Sequence, residues 1–209
     1  MKRAWLVGWV LAAGIGAGAQ ECRLGDQLLA VYTPGAKHTV PNEVLKRAKY
    51  MATKLLAGAG VTVDWIEGEP LGDPEQMGCK ERLTILFDVK APARFSKWAM
   101  AYSDLTPGSQ TAVHIFYDRV SLFYDRPHMP EFLGGLLAHE IAHILQGVAR
   151  HSRVGVMKAR WTDRDHDELL HGRLPFASED VALIRSHFRA RAVSVAGDLG
   201  AAAANDSQR

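Results

Sequence analysis

Apolar positions along this chain recur with two different periods. Between Pro41 and Gly58, Val44, Leu45, Ala48, Met51, Ala52, Leu55 and Leu56 share one helical face, with lysines and Arg47 opposite. Pro41 and Gly58 predict where that helix starts and stops. Val61 to Ile66 reads as a strand and Leu83 to Val89 as a second, more continuously apolar one. Gly68 to Gly78 between them, rich in Gly, Pro and acid, reads as a loop. Ala91 to Gln110 is irregular, with turns at Pro92, Pro107 and Gly108, and Thr111 to Asp118 alternates as a third strand.

The next apolar block is helical again. Leu133, Leu136, Leu137, Ile141, Ile144 and Leu145 lie in a run with Pro130 near its start and Gly147 placed to cap its end. A solvated helix does not carry so many leucines and isoleucines, so this one is expected to be buried. Trp161 to His171 is polar and reads as a solvated loop. Its Asp163, Asp165 and Asp167 alternate like calcium ligands, but Glu168 and Leu174 stand where such a loop needs glycine and glutamate. A last helix is expected after Ser178 as cap, with Glu179 and Asp180 in its first turn and Val181, Ile184 and Phe188 as its stripe. Residues 191–209, alanine-, glycine- and polar-rich, read as a disordered tail.

The buried helix carries His139-Glu140-Ile141-Ala142-His143, the H-E-x-x-H pattern of zinc-dependent hydrolases. Residues four apart lie nearly above one another on a helix, so both imidazoles can face one Zn²⁺. Glu140 lies about 100° round from His139, where its carboxylate can take a proton from water at the metal. Two buried histidines beside a buried glutamate need such a reason.

Past Gly147 come His151-Ser152 and Val154-Gly155-Val156-Met157. Here the chain resembles the metzincin clan of zinc peptidases, and within it the matrixin-like branch. That resemblance implies an α+β, zincin-like domain over residues 20–190, with a mixed twisted sheet, an active-site helix and a C-terminal helix. It also implies His139, His143 and His151 as zinc ligands, Glu140 as general base and Met157 as an apolar floor under the metal. The strand ahead of the zinc helix, here residues 111–118, would be the sheet edge that receives substrate.

The spacing departs from the clan pattern: His151 follows His139 by 12 residues instead of 10. Lys158, Ala159 and Arg160 follow Met157, so the matrixin proline is absent there. In the gluzincins, another H-E-x-x-H group, the third ligand is a glutamate on a later helix, which leaves Glu168 as the competitor of His151. His114, His128, Trp65 and Trp98 read as cleft or packing residues.

Met1 to Ala19 has the basic start, apolar run and small-residue end of a secretory signal peptide, so export to the medium or periplasm is expected. The chain has 25 basic and 23 acidic residues, and losing Lys2 and Arg3 leaves a near-neutral protein with no indication of a nucleic-acid partner. No membrane contact is expected after cleavage, and a monomer acting on peptide or protein is the simplest assembly. Cys22 and Cys79, the two cysteines, are expected to form a disulfide worth about 4 kcal/mol by loop closure. The alternative is a Cys22 thiolate masking the metal, as inhibitory cysteines do in some matrixins. Hydrolysis by activated water follows from the residues, and peptide as substrate from the resemblance. A zinc-binding recognition module without turnover and a zinc amidase on other amides remain as rival functions.

Overall fold

The computed structural model describes residues 27–70, 80–105, 111–123 and 128–206. In chain order the elements are β1 (Leu28–Thr33), α1 (Ala36–Thr39), α2 (Asn42–Gly58), β2 (Thr62–Glu67), β3 (Glu81–Asp88) and β4 (Ala101–Asp104). They continue with β5 (Ala112–Phe116), α3 (Tyr117–Phe123), α4 (Met129–Gln146), α5 (Asp163–Leu170) and α6 (Ser178–Asp206). The five strands form one mixed sheet in the order β2-β1-β3-β5-β4, making this an α+β fold. All neighbours are parallel except β4, which runs antiparallel to β5.

Strand burial follows from that topology. Parallel strands with neighbours on both sides are covered on both faces and read as apolar runs. Leu29, Ala30 and Val31 of β1 and Leu83 and Ile85 of β3 are accordingly buried. Sequence reading left Leu28–Thr33 unassigned and put the substrate edge at residues 111–118. Instead β5 is an inner strand, and the sheet ends in β2 on one side and, inside the stretch read as irregular, in β4 on the other. Four residues are too few for an alternation to show, and β4 exists because Ser103 pairs with Val113 and Tyr102 with His114.

Every residue of α4 except Glu131 is buried. Helix α2 packs on one side of it so closely that a Cβ on Gly134 would stand 2.6 Å from Met51 Cβ. Leu169 of α5 and Trp161 crowd Gly135 in the same way. The stretch read as a solvated loop is therefore partly helix, held by two local causes. Thr162 and Asp165 form a reciprocal capping box, and Leu169 is buried against α4. The three aspartates belong to this helix, Asp165 in its cap and in an ion pair with Lys158.

Helix α6 also differs from expectation. Ser178 is its first helical residue instead of its cap, and the N–H of Ala177 is met by Asp180 Oδ2 at 3.2 Å. The helical backbone continues to Asp206 through the stretch read as a tail, which is rich in alanine, the strongest helix former. Arg191 lies within the interaction network of the domain, donating to the Lys80 carbonyl at 3.1 Å. Residues 1–19, Cys22 and Cys79 lie outside the described residues.

Candidate metal centre and cleft

Helix α4 presents His139 and His143 one turn apart, with Nε2 atoms 3.1 Å from each other. The opposite ring nitrogens are both committed to backbone carbonyls: Nδ1 of His139 to Val156 at 2.8 Å and Nδ1 of His143 to Val148 at 3.2 Å. A carbonyl only accepts, so each Nδ1 carries the proton and each Nε2 a lone pair. Burial, first, and the neighbouring imidazoles, second, hold His139 at a pKa of about 4 despite its bond to Val156. His143 is lowered too, again mainly by burial. Two neutral rings aiming lone pairs at each other across 3.1 Å repel unless a cation lies between them. Two imidazoles on a tetrahedral zinc would have their nitrogens about 3.3 Å apart. The donor set fits that ion.

The third imidazole comes from beyond the helix. His139, His143 and His151 each offer a ligand atom within 4.8 Å of the others. His151 is exposed, with its ring centroid 5.3 Å from that of His139 and 5.0 Å from that of His143. Glu168, the competing ligand, sits on α5 and pairs with Arg164 at 3.2 Å. It is not in the group.

How the lengthened turn returns His151 is visible in its hydrogen bonds. Gly147 ends α4 at φ 66°, a left-handed conformation that leaves its N–H on the His143 and Ile144 carbonyls. The next residue supplies the carbonyl that holds His143. Arg150 is then tied to Glu179 and Asp180, each at 3.0 Å, and Ser152 Oγ donates to Asp180 at 2.7 Å. His151 is thus gripped on both sides by the first turn of α6.

Met157 sits in the turn that follows, fully buried. The N–H of Ser152 donates to its carbonyl at 2.8 Å, and that of Lys158 closes the turn on Gly155 at 3.2 Å. Gly155 has φ 77°, and a Cβ there would lie 2.1 Å from the Pro175 carbonyl oxygen, so only glycine fits. The Val156 carbonyl accepts from both His139 and Trp161 Nε1, the latter at 3.1 Å. The turn that holds Met157 and the ring of His139 are one hydrogen-bonded unit.

Glu140 is buried beside the histidines, and burial raises its carboxyl to a pKa of about 7 against the opposing hydrogen bond from Ser103. Ser103, on the edge strand β4, has its Oγ 2.7 Å from Glu140 Oε2 and 3.0 Å from the Glu140 carbonyl. Sequence reading missed Ser103, Asp180 as the brace of His151, and Trp161. Only Asp180 left a trace, as one of two acids in the first turn of a helix.

These groups open onto a cleft of about 760 Å³ that includes His139, Glu140, His151, Trp161, Arg160 and Trp98. Trp98, read as a packing residue, is 61% exposed and lines this cleft. Trp65 does pack, donating to Thr53 on α2 at 2.9 Å. His114 stacks on Tyr102 and contacts Asp88 at 3.0 Å, and neither it nor His128 joins the histidine group.

No protein-family model and no curated protein sequence matches the chain. Among solved structures it is similar to a zinc-dependent peptidase from Methanocorpusculum labreanum, at 12% identity and a TM-score of 0.45, over 75% of this chain and 99% of that one. It is also similar to an archaemetzincin from Methanopyrus kandleri, at 15% identity and a TM-score of 0.47, over 79% of this chain and 97% of that one.

Proposed function

We propose that this protein is a zinc-dependent peptidase of the metzincin kind, with His139, His143 and His151 as ligands and Glu140 as general base. One observation carries the reading: three imidazoles converge, two with lone pairs forced together, directly beside a buried carboxyl. Zinc held there supplies Lewis acidity and draws the pKa of water toward neutrality. Three neutral protein ligands leave a position open for substrate or water, as a catalytic site needs.

Glu140 does the proton work. Its carboxylate can take a proton from attacking water and return it to the leaving amine, and the burial that raises its pKa makes it a stronger base than a solvated glutamate. Ser103 holds its Oε2, and β4, the last strand of the sheet among the described residues, is an edge along which an extended peptide can lie as an added strand. Substrate is thus laid across the same strand that orients the base. A binding-only module would have no use for that carboxyl. On the reading of residues 1–19 as a signal, the enzyme acts after export, with Cys22 and Cys79 joined.

Zinc-loaded wild type and Glu140→Gln, assayed side by side on a mixed peptide library, test this. The variant should keep its zinc and lose hydrolysis. Equal turnover in both would remove Glu140 from the mechanism, and turnover confined to non-peptide amides would move the substrate class.

A further inference from the structure

Lys158 to Trp161, in the segment that contains His151, form part of the cleft lining, and the charge of that segment is one-sided. From Val148 to Trp161 it contains Arg150, Arg153, Lys158 and Arg160 and no carboxylate. Two of these cations are occupied: Arg150 by Glu179 and Asp180, and Lys158 by Asp165. Arg160 is exposed, lines the cleft, and has no ion-pair partner among the described residues. Among the described residues, Glu140 is the one carboxylate that lines the cleft.

Next to Arg160 the cleft has an aromatic lining. Trp161 meets Phe132 edge-on at 5.6 Å and His166 edge-on at 6.0 Å, and its ring lies 6.2 Å from that of His139. Trp161 is fixed by its bond to Val156, so this wall is preorganised relative to the first ligand. An aromatic pocket takes the stem of a side chain, and a guanidinium at its border pairs with a planar anion through two parallel hydrogen bonds.

We infer that the cleft selects substrates bearing a carboxylate next to the scissile bond, with Arg160 as the residue that reads it. This rests on the peptidase reading and narrows its substrate class. Carboxylate can come from an Asp or Glu side chain or from a free C-terminus, and both would be read by the same guanidinium.

Three sets of octapeptides, cleaved by the zinc-loaded full chain with products mapped by mass spectrometry, decide it. The first is blocked at both ends and scans Glu, Gln, Leu and Lys at each position. The second carries free C-termini, and the third is its amidated counterpart. Glu should be favoured over Gln about tenfold at one fixed distance from the cut if the side chain is read. If the terminus is read, amidation should cost a similar factor. In either case Arg160→Glu should abolish the preference and, for the side chain, turn it toward Lys. Arg160 is exposed and has no ion-pair partner among the described residues, so the variant should fold.

Cleavage indifferent to the carboxylate, or a preference that survives in Arg160→Glu, would overturn the inference and leave the peptidase reading standing. Absence of any cleavage would strike the peptidase reading, and calorimetry with Glu140→Gln then decides the carboxylate question separately. Tighter binding of the blocked Glu peptide than of its Gln counterpart, lost when Arg160→Glu is added, supports it. Equal binding overturns it.

Discussion

The hydroxyl of Ser152 donates to the buried carboxylate of Asp180 at 2.7 Å, joining the residue beside His151 to the first turn of α6. The same Oδ1 accepts from Arg150 at 3.0 Å and from Gln146 at 3.3 Å. Asp180 therefore connects the end of α4, the returning turn and the last helix. A turn two residues longer than the clan pattern has more freedom, and this carboxylate removes it.

Asp180→Asn should for that reason be costly twice over. It removes the charge of a buried carboxylate from Arg150, which is half-buried and keeps Glu179, and losing a hydrogen bond to a charged group costs about 1.5–3 kcal/mol. It also loosens the support of His151, the proposed third ligand, and losing such support typically costs about 10- to 100-fold in metal affinity. Urea unfolding and zinc competition with a chelator measure the two effects. A variant of unchanged zinc affinity would show that His151 does not depend on this brace.

Zinc content separates the two candidates for third ligand. Wild type should hold one equivalent, His151→Ala should fall well below it while remaining folded, and Glu168→Ala should be unchanged. Glu168 is on α5 with its carboxylate paired to Arg164, so its loss touches only an exposed i,i+4 pair. A drop in Glu168→Ala with His151→Ala intact would reverse the ligand assignment.

What could be read from sequence was what short-range geometry determines. The period of the apolar residues, the four-residue spacing of His139 and His143, and the left-handed cap at Gly147 all depend on neighbours in the chain. Ser103 was invisible because β4 is made by pairing with β5, and only that pairing points its hydroxyl at Glu140. Helix α5 was misread because its aspartates look solvated, whereas one closes a capping box and Leu169 is buried against Gly135. His151 could be suspected but not placed. The bonds that return it span some 30 residues, from Arg150 and Ser152 to Asp180.

Acid should weaken the attachment of α6 through Glu81, at the start of β3. Its carboxylate lies 3.4 Å from His187 Nε2 and 3.2 Å from Arg191 Nε. Burial alone would raise its pKa, but the His187 hydrogen bond and the Arg191 charge outweigh it, and the net shift is below 4.5. An acid with a folded pKa below its unfolded one binds fewer protons when folded, so stability rises with pH between the two values. The contribution is complete above pH about 4.5 and disappears as pH falls through the folded value. Urea midpoints from pH 6 down to pH 3 should show a fall that Glu81→Gln flattens, with the variant weaker by about 1 kcal/mol at pH 6. Parallel curves for the two proteins would exclude Glu81 as the source.

Ser103 connects the sheet edge to the base, and its removal should appear in turnover more than in binding. Its hydroxyl is 2.7 Å from Glu140 Oε2, and hydrogen bonds to charged groups contribute about 1.5–3 kcal/mol. Ser103→Ala frees a buried carboxyl to rotate away from the reacting water, while leaving the backbone of β4 to pair with substrate as before. The expected result is a kcat lower by tenfold or more, with KM and zinc content close to wild type. Ser103→Thr keeps the hydroxyl and should recover much of the loss. A rise in KM with kcat intact would instead make Ser103 a contact for substrate, and failure of the threonine variant to recover would mean that the space beside Glu140, not the hydrogen bond, is what matters.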